Sequence, residues 1–70
     1  MNFKINTDYI ELHQLLKASG LCASGGEAKF IIAEGKIKVN GKTETKKKCK
    51  ILPGQIVNYN TKEILVKKEI

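Results

Sequence analysis

Apolar and polar positions divide the chain into stretches of two different periods. Asn2 to Asn6 alternates, with Phe3 and Ile5 on one face, which predicts a short strand. From Tyr9 the spacing turns helical: Leu12, Leu15 and Leu16, with Ile10 near the same line, form an apolar stripe opposite Glu11, Gln14 and Lys17. Thr7 or Asp8 is placed to cap this helix. Gly20 is placed to stop it, since glycine enters the left-handed region at little cost, and Leu21 is the hydrophobic residue that folds back on such an ending. A second helix opens on Ser24-Gly25-Gly26-Glu27, read as a capping box in which Ser24 takes the Glu27 amide and the Glu27 carboxylate reaches back to Ser24. Ala28, Ile31, Ile32 and Gly35 follow helical spacing, and Gly35 ends the helix. Phe30 lies off the stripe, half-exposed or packed against a neighbouring element.

From Lys36 the period becomes two, with Ile37 and Val39 on one side and Lys36 and Lys38 on the other. Asn40-Gly41 predicts a tight hairpin, because a type I′ turn needs two positive φ angles. The return strand starts at Lys42, Thr45 to Lys50 is polar and basic, and Cys49 and Ile51 turn inward. Pro53-Gly54 marks a turn. Gln55 to Tyr59 and Glu63 to Lys67 read as two further strands joined at Asn60-Thr61. The sum is an α+β fold, two helices packed on a small, mostly antiparallel sheet, as a single domain over residues 1–70.

Charge changes the picture from fold to partner. The net charge is +6, and every basic residue is lysine. Lys29, Lys36, Lys38, Lys42, Lys46, Lys47, Lys48 and Lys50 face only Glu34 and Glu44 within their stretch, so the whole excess lies there. A one-sided positive field points to a polyanion, against the plainer reading of a solvated charged face. Lys46, Lys48 and Lys50 alternate, so an extended backbone sends them to one face. If they meet Lys36 and Lys38 across the sheet, the crowding costs about 0.2–1 kcal/mol per pair, which a bound polyanion relieves.

Other chemistry is thin. A chain of 70 residues has little room for a substrate cleft. It has one His, one Asp, and no nucleophile elbow or phosphate loop. His13 reads as a helix-surface or core-edge residue. Cys22 and Cys49 form no metal-ligand spacing and read as partly buried free thiols. No catalytic residue, metal, cofactor or small-molecule substrate is expected. Phe3, Tyr9, Phe30 and Tyr59 are scattered and assigned mainly to the core. The N-terminus has no signal-like apolar run and no segment is long enough to span a bilayer, which predicts a cytoplasmic protein with no membrane partner.

The order helix, Gly-Leu, Ser-Gly-Gly-Glu-Ala-Lys helix, Glu-Gly-Lys-Ile-Lys-Val-Asn-Gly hairpin, Lys-Cys-Lys-Ile and Pro-Gly-Gln-Ile-Val closely resembles the RNA-binding domain of small-subunit ribosomal protein S-four, the alpha-L motif. The likeness covers about Ile10 to Tyr59 and is most specific from Glu34 to Gly41 and in the spacing to Pro53-Gly54. It is nearest to the stand-alone members of that superfamily. It implies the alpha-L architecture and non-enzymatic binding of structured RNA. Ribosomal RNA or ribosomal particles are the implied partners, in ribosome assembly or translation. Lys29 falls where related proteins hold a basic residue, whereas Gly25 stands where many carry arginine. Lysine meets phosphate as a point charge without arginine's bidentate fork, so recognition led by phosphate and shape is implied.

The expected RNA-contacting residues are Lys29, Lys36, Lys38, Lys46, Lys47, Lys48 and Lys50, with Ser24 and Gly25 presenting the start of the second helix, where free amides and the helix dipole favour a phosphate. A plain N-cap is the alternative there. The competing function is a protein-interaction adaptor that docks an acidic partner surface.

Overall fold

The computed structural model describes residues 1–69. Its elements run β1 (Asn2–Ile5), β2 (Ile10–Glu11), α1 (Leu12–Ala18), α2 (Gly25–Ala33), β3 (Ile37–Val39), β4 (Lys42–Thr43), β5 (Lys50–Ile51), β6 (Ile56–Tyr59) and β7 (Lys62–Lys68).

Local chemistry sets most of the boundaries. Helix α2 starts where the Ser24 hydroxyl accepts the Glu27 amide at 3.2 Å. The Glu27 carboxylate, expected on Ser24, instead accepts the Ala23 amide at 3.0 Å, one residue further back. The helix ends in a Schellman closure: Gly35 N–H donates to the Ile32 carbonyl and Lys36 N–H to the Ile31 carbonyl. Gly35 makes this possible at φ +75°. Asn40 and Gly41 take φ of 50° and 83°, as a two-residue hairpin between β3 and β4 requires. The Asn40 side chain also accepts the Ile56 amide at 2.9 Å, tying the hairpin to β6.

Strands β1-β7-β6-β3-β4 form one sheet in that order, and β2 pairs separately with β5. Only the β1–β7 pairing is parallel among the described strands. Ile37, Val57, Ile64 and Val66 line one face of the larger sheet and are buried with Leu12, Leu15 and Leu16 of α1 and Ala28, Ile31 and Ile32 of α2. Each of the valine, leucine and isoleucine side chains contributes about 1.5–3 kcal/mol on burial. Phe3 and Tyr59 pack on the edge of this core. Tyr9 does not follow the core assignment, being 39% exposed, and Phe30, placed off the helix stripe, is 61% exposed.

The first helix starts later than its periodicity predicts. Ile10 and Glu11 are drawn into β2 by pairing with Ile51 and Lys50. Thr7, expected as a cap, donates its hydroxyl to the Tyr9 carbonyl at 2.8 Å, and Glu11 occupies the N-cap position. The first helical amides, on Leu12 and His13, donate to the Cys49 and Lys47 carbonyls at 2.9 and 3.0 Å. The basic segment therefore caps α1 through its backbone.

Candidate nucleic-acid interface

That docking fixes the geometry of the lysine run. Residues 46–49 form a turn closed by the Cys49 amide on the Lys46 carbonyl at 3.1 Å. An extended strand with Lys46, Lys48 and Lys50 on one face is therefore not formed. The carbonyls of Lys47 and Cys49 face α1, and the lysine side chains of the turn remain exposed to solvent. Lys50, in β5, lies opposite Glu11, and its ammonium sits 4.9 Å from the centre of the Tyr9 ring, a cation–π distance.

The predicted meeting of two lysine sets across one sheet does not occur. β5 belongs to the small sheet, and the register partners of Lys38 are Thr43 and Asn58. Since Ile37 and Val39 pack towards the core, Lys38 points to the opposite face of the sheet, away from the helices. The like-charge register pair that does occur in the described strands is Lys4 opposite Lys67. Lys36 is exposed at the junction of α2 and β3. Lys29 is exposed on α2, next to the buried Ala28. Ser24 and Gly25 lie at the far end of that helix, roughly 13 Å from its C-terminus.

Lys47, Lys48 and Lys50 thus lie in the segment docked on the start of α1, Lys29 lies on α2, Lys36 at the junction of α2 and β3, and Lys38 on the sheet face away from the helices. What unites them is electrostatic. The ion pairs among the described residues are His13–Glu11 at 2.9 Å, which is charged when His13 is protonated, and Lys68–Asp8 at 3.5 Å. Among the described residues, none of the lysines from Lys29 to Lys50 is tied to a carboxylate. Glu44, the nearest acid in sequence, spends one oxygen on the Lys46 backbone amide at 3.0 Å.

Helix α2 opens on two glycines with room around them. A Cβ at Gly25 would meet nothing within 4 Å, and one at Gly26 only the Ser24 hydroxyl oxygen at 3.9 Å. Neither residue has a positive φ. Packing and backbone conformation therefore do not demand glycine at either position, and the helix start is open to close approach.

The thiols are poorly suited to chemistry. Burial, reinforced by Glu27, raises the pKa of Cys22, and burial, reinforced by Glu44, raises that of Cys49. Both are free and held protonated at neutral pH, the less nucleophilic and less metal-binding form. Among the described residues, no three His, Cys, Asp or Glu side chains are grouped to hold a metal, and no helix is long and apolar enough to cross a membrane.

Two helices on one face of a largely antiparallel sheet, with the Asn40-Gly41 hairpin leaving the second helix, define the alpha-L architecture. The chain belongs to the S4 domain family, whose profile matches residues 3–67. It is 51% identical over 51 residues to the protein named "Putative RNA-binding protein YbcJ" of Escherichia coli (strain K12), covering 73% of each chain. YbcJ of Shigella flexneri matches with the same identity and coverage. The solution structure of YbcJ from E. coli, described as revealing an alpha-L motif involved in RNA-binding, superposes with a TM-score of 0.74 at 42% identity, covering 94% of this chain and 85% of that one.

Proposed function

We propose that this protein binds structured RNA by its phosphate backbone and carries out no catalysis of its own. The observation that carries the reading is the Lys47–Lys50 segment. Lys47 and Lys48 on the turn and Lys50 at the start of β5, none with a carboxylate partner among the described residues, are carried by a backbone fixed by two hydrogen bonds to the start of α1. A fixed backbone with free ammonium groups presents positive charge at little further ordering cost. Phosphates recruit such groups with release of counterions. Lys29, Lys36, Lys38 and Lys46 extend the contact, and Ser24 and Gly25 offer the open start of α2.

The family and the YbcJ relatives support RNA as the polyanion. Ribosomal RNA, met during ribosome assembly or translation in the cytoplasm, is the setting we favour, because the alpha-L resemblance implies it. Ultraviolet crosslinking in cells, followed by sequencing of the bound RNA, tests it. Enrichment of ribosomal RNA at discrete sites is expected. Reads spread evenly over cellular RNA would refute the ribosomal setting. Partner capture that survives nuclease treatment, with no crosslinked RNA, would favour an adaptor instead.

A further inference from the structure

We propose that the groove beside Tyr9 receives a single unpaired nucleobase, so that the protein recognises RNA helices carrying a bulged or flanking nucleotide. This rests on the RNA-binding reading and adds a second kind of contact to it. The groove, of about 410 Å³, is lined by Thr7, Tyr9, Ile10, Glu11 and Gln14. That volume lies near the lower end of the range for small-ligand sites, about 300–1,000 Å³, a scale suited to one nucleotide.

Tyr9 is 39% exposed, although it adjoins a well-packed core. The Lys50 ammonium, 4.9 Å from the ring centre, occupies one face and helps hold the ring in place. Tyr9 lines the groove and keeps 39% of its surface exposed, area on which a base can stack, a contact any base can exploit and one that contributes appreciably to single-strand recognition. The rim supplies groups for a base edge. Gln14 uses its carbonyl oxygen to accept the Glu11 amide at 3.4 Å, and its carboxamide nitrogen has no partner among the described residues. Thr7 donates its hydroxyl to the Tyr9 carbonyl, leaving the oxygen as an acceptor. The Glu11 carboxylate, 2.9 Å from His13 Nε2, adds a further acceptor.

Position decides between a nucleotide and a free aromatic ligand. Lys50 belongs both to the ring contact and to the lysine segment. A base on Tyr9 therefore brings its own phosphate towards the lysine segment that Lys50 belongs to. A base within a duplex is stacked on both faces and cannot enter, so the site selects an unpaired one.

The test compares an RNA hairpin carrying one bulged fluorescent purine analogue with the same hairpin fully paired. The wild-type protein is compared with Tyr9→Phe and Tyr9→Leu, each checked for folding by thermal melting. Wild type and Tyr9→Phe should favour the bulged hairpin by about five- to 150-fold and quench the analogue on binding. Tyr9→Leu should lose both the preference and the quenching, yet bind the paired hairpin as wild type does. A wild-type protein without the preference would overturn the proposal and leave RNA binding intact. So would a Tyr9→Leu variant that keeps the preference, or that weakens both hairpins equally. Wild-type protein that binds neither hairpin would overturn RNA binding itself, and this site with it.

Discussion

Replacing Gly25 and Gly26 together by alanine should stabilise the protein and weaken its grip on RNA. Both glycines lie in the first turn of α2 with ordinary negative φ, and an added Cβ meets nothing closer than the Ser24 hydroxyl oxygen at 3.9 Å. Alanine narrows the unfolded ensemble, and each compatible Gly→Ala change is worth about 0.4–1 kcal/mol. The pair should add about 1–2 kcal/mol, which in a domain of this size raises Tm by roughly 4–16 °C. The two methyl groups would also stand between the helix-start amides and an approaching phosphate. Losing one charge-assisted hydrogen bond of about 1.5–3 kcal/mol lowers affinity by roughly ten- to 150-fold. Differential scanning calorimetry reads the first effect and a mobility-shift titration the second. A higher Tm with unchanged affinity would refute phosphate binding at this helix start. A lower Tm would refute the reasoning that the glycines serve no structural need.

Changing Lys47, Lys48 and Lys50 together to glutamine should reduce the magnitude of the salt slope of RNA binding by about 2–3, close to one for each phosphate left without its ammonium; Tm should fall by only about 2–8 °C, the worth of the Lys50–Tyr9 contact, since no ion pair of these exposed lysines is present among the described residues. Leu16→Ala, at a fully buried site in the core shared by helices and sheet, should cost about 2–5 kcal/mol, seen as loss of the cooperative melt or a midpoint far below wild type in urea. Cys22 and Cys49 have pKa values raised above 9.0 in the fold, so their stabilising contribution is present below that pH and is lost as pH rises through the folded values. Tm should therefore fall above about pH 9 by more in wild type than in a Cys22→Ala, Cys49→Ala double variant.

The features legible in the sequence were those set by local chemistry. Ser24 at a helix start, Gly20 and Gly35 at helix ends, Asn40-Gly41 and Pro53-Gly54 all act within a few residues, and each falls where its residue type predicts. The misplaced start of α1 has a non-local cause. Ile10 and Glu11 have helical spacing, and only Lys50 and Ile51, far along the chain, pull them into a strand. The parallel partnership of β1 with β7 was hidden for the same reason. Lys46 to Lys50 misled because a run of lysines alternates trivially, with no apolar partner to distinguish strand from turn. In the candidate site, the lysines were visible as charge, but the docking of the 47–50 segment on α1 and the placing of β5 in a separate sheet from β3 were not. Tyr9 gave no signal at all, since its apolar ring reads as core and its contact with Lys50 depends on the β2–β5 pairing.

Lysines held on a fixed backbone and left without carboxylate partners should bind RNA chiefly by displacing its counterions. A titration of the wild-type protein against a structured RNA hairpin, repeated across a series of salt concentrations, measures this directly. With about three to five phosphates neutralised, log affinity should fall linearly with log salt at a slope of roughly −2 to −4. Affinity that stays constant across the series would contradict the electrostatic grip.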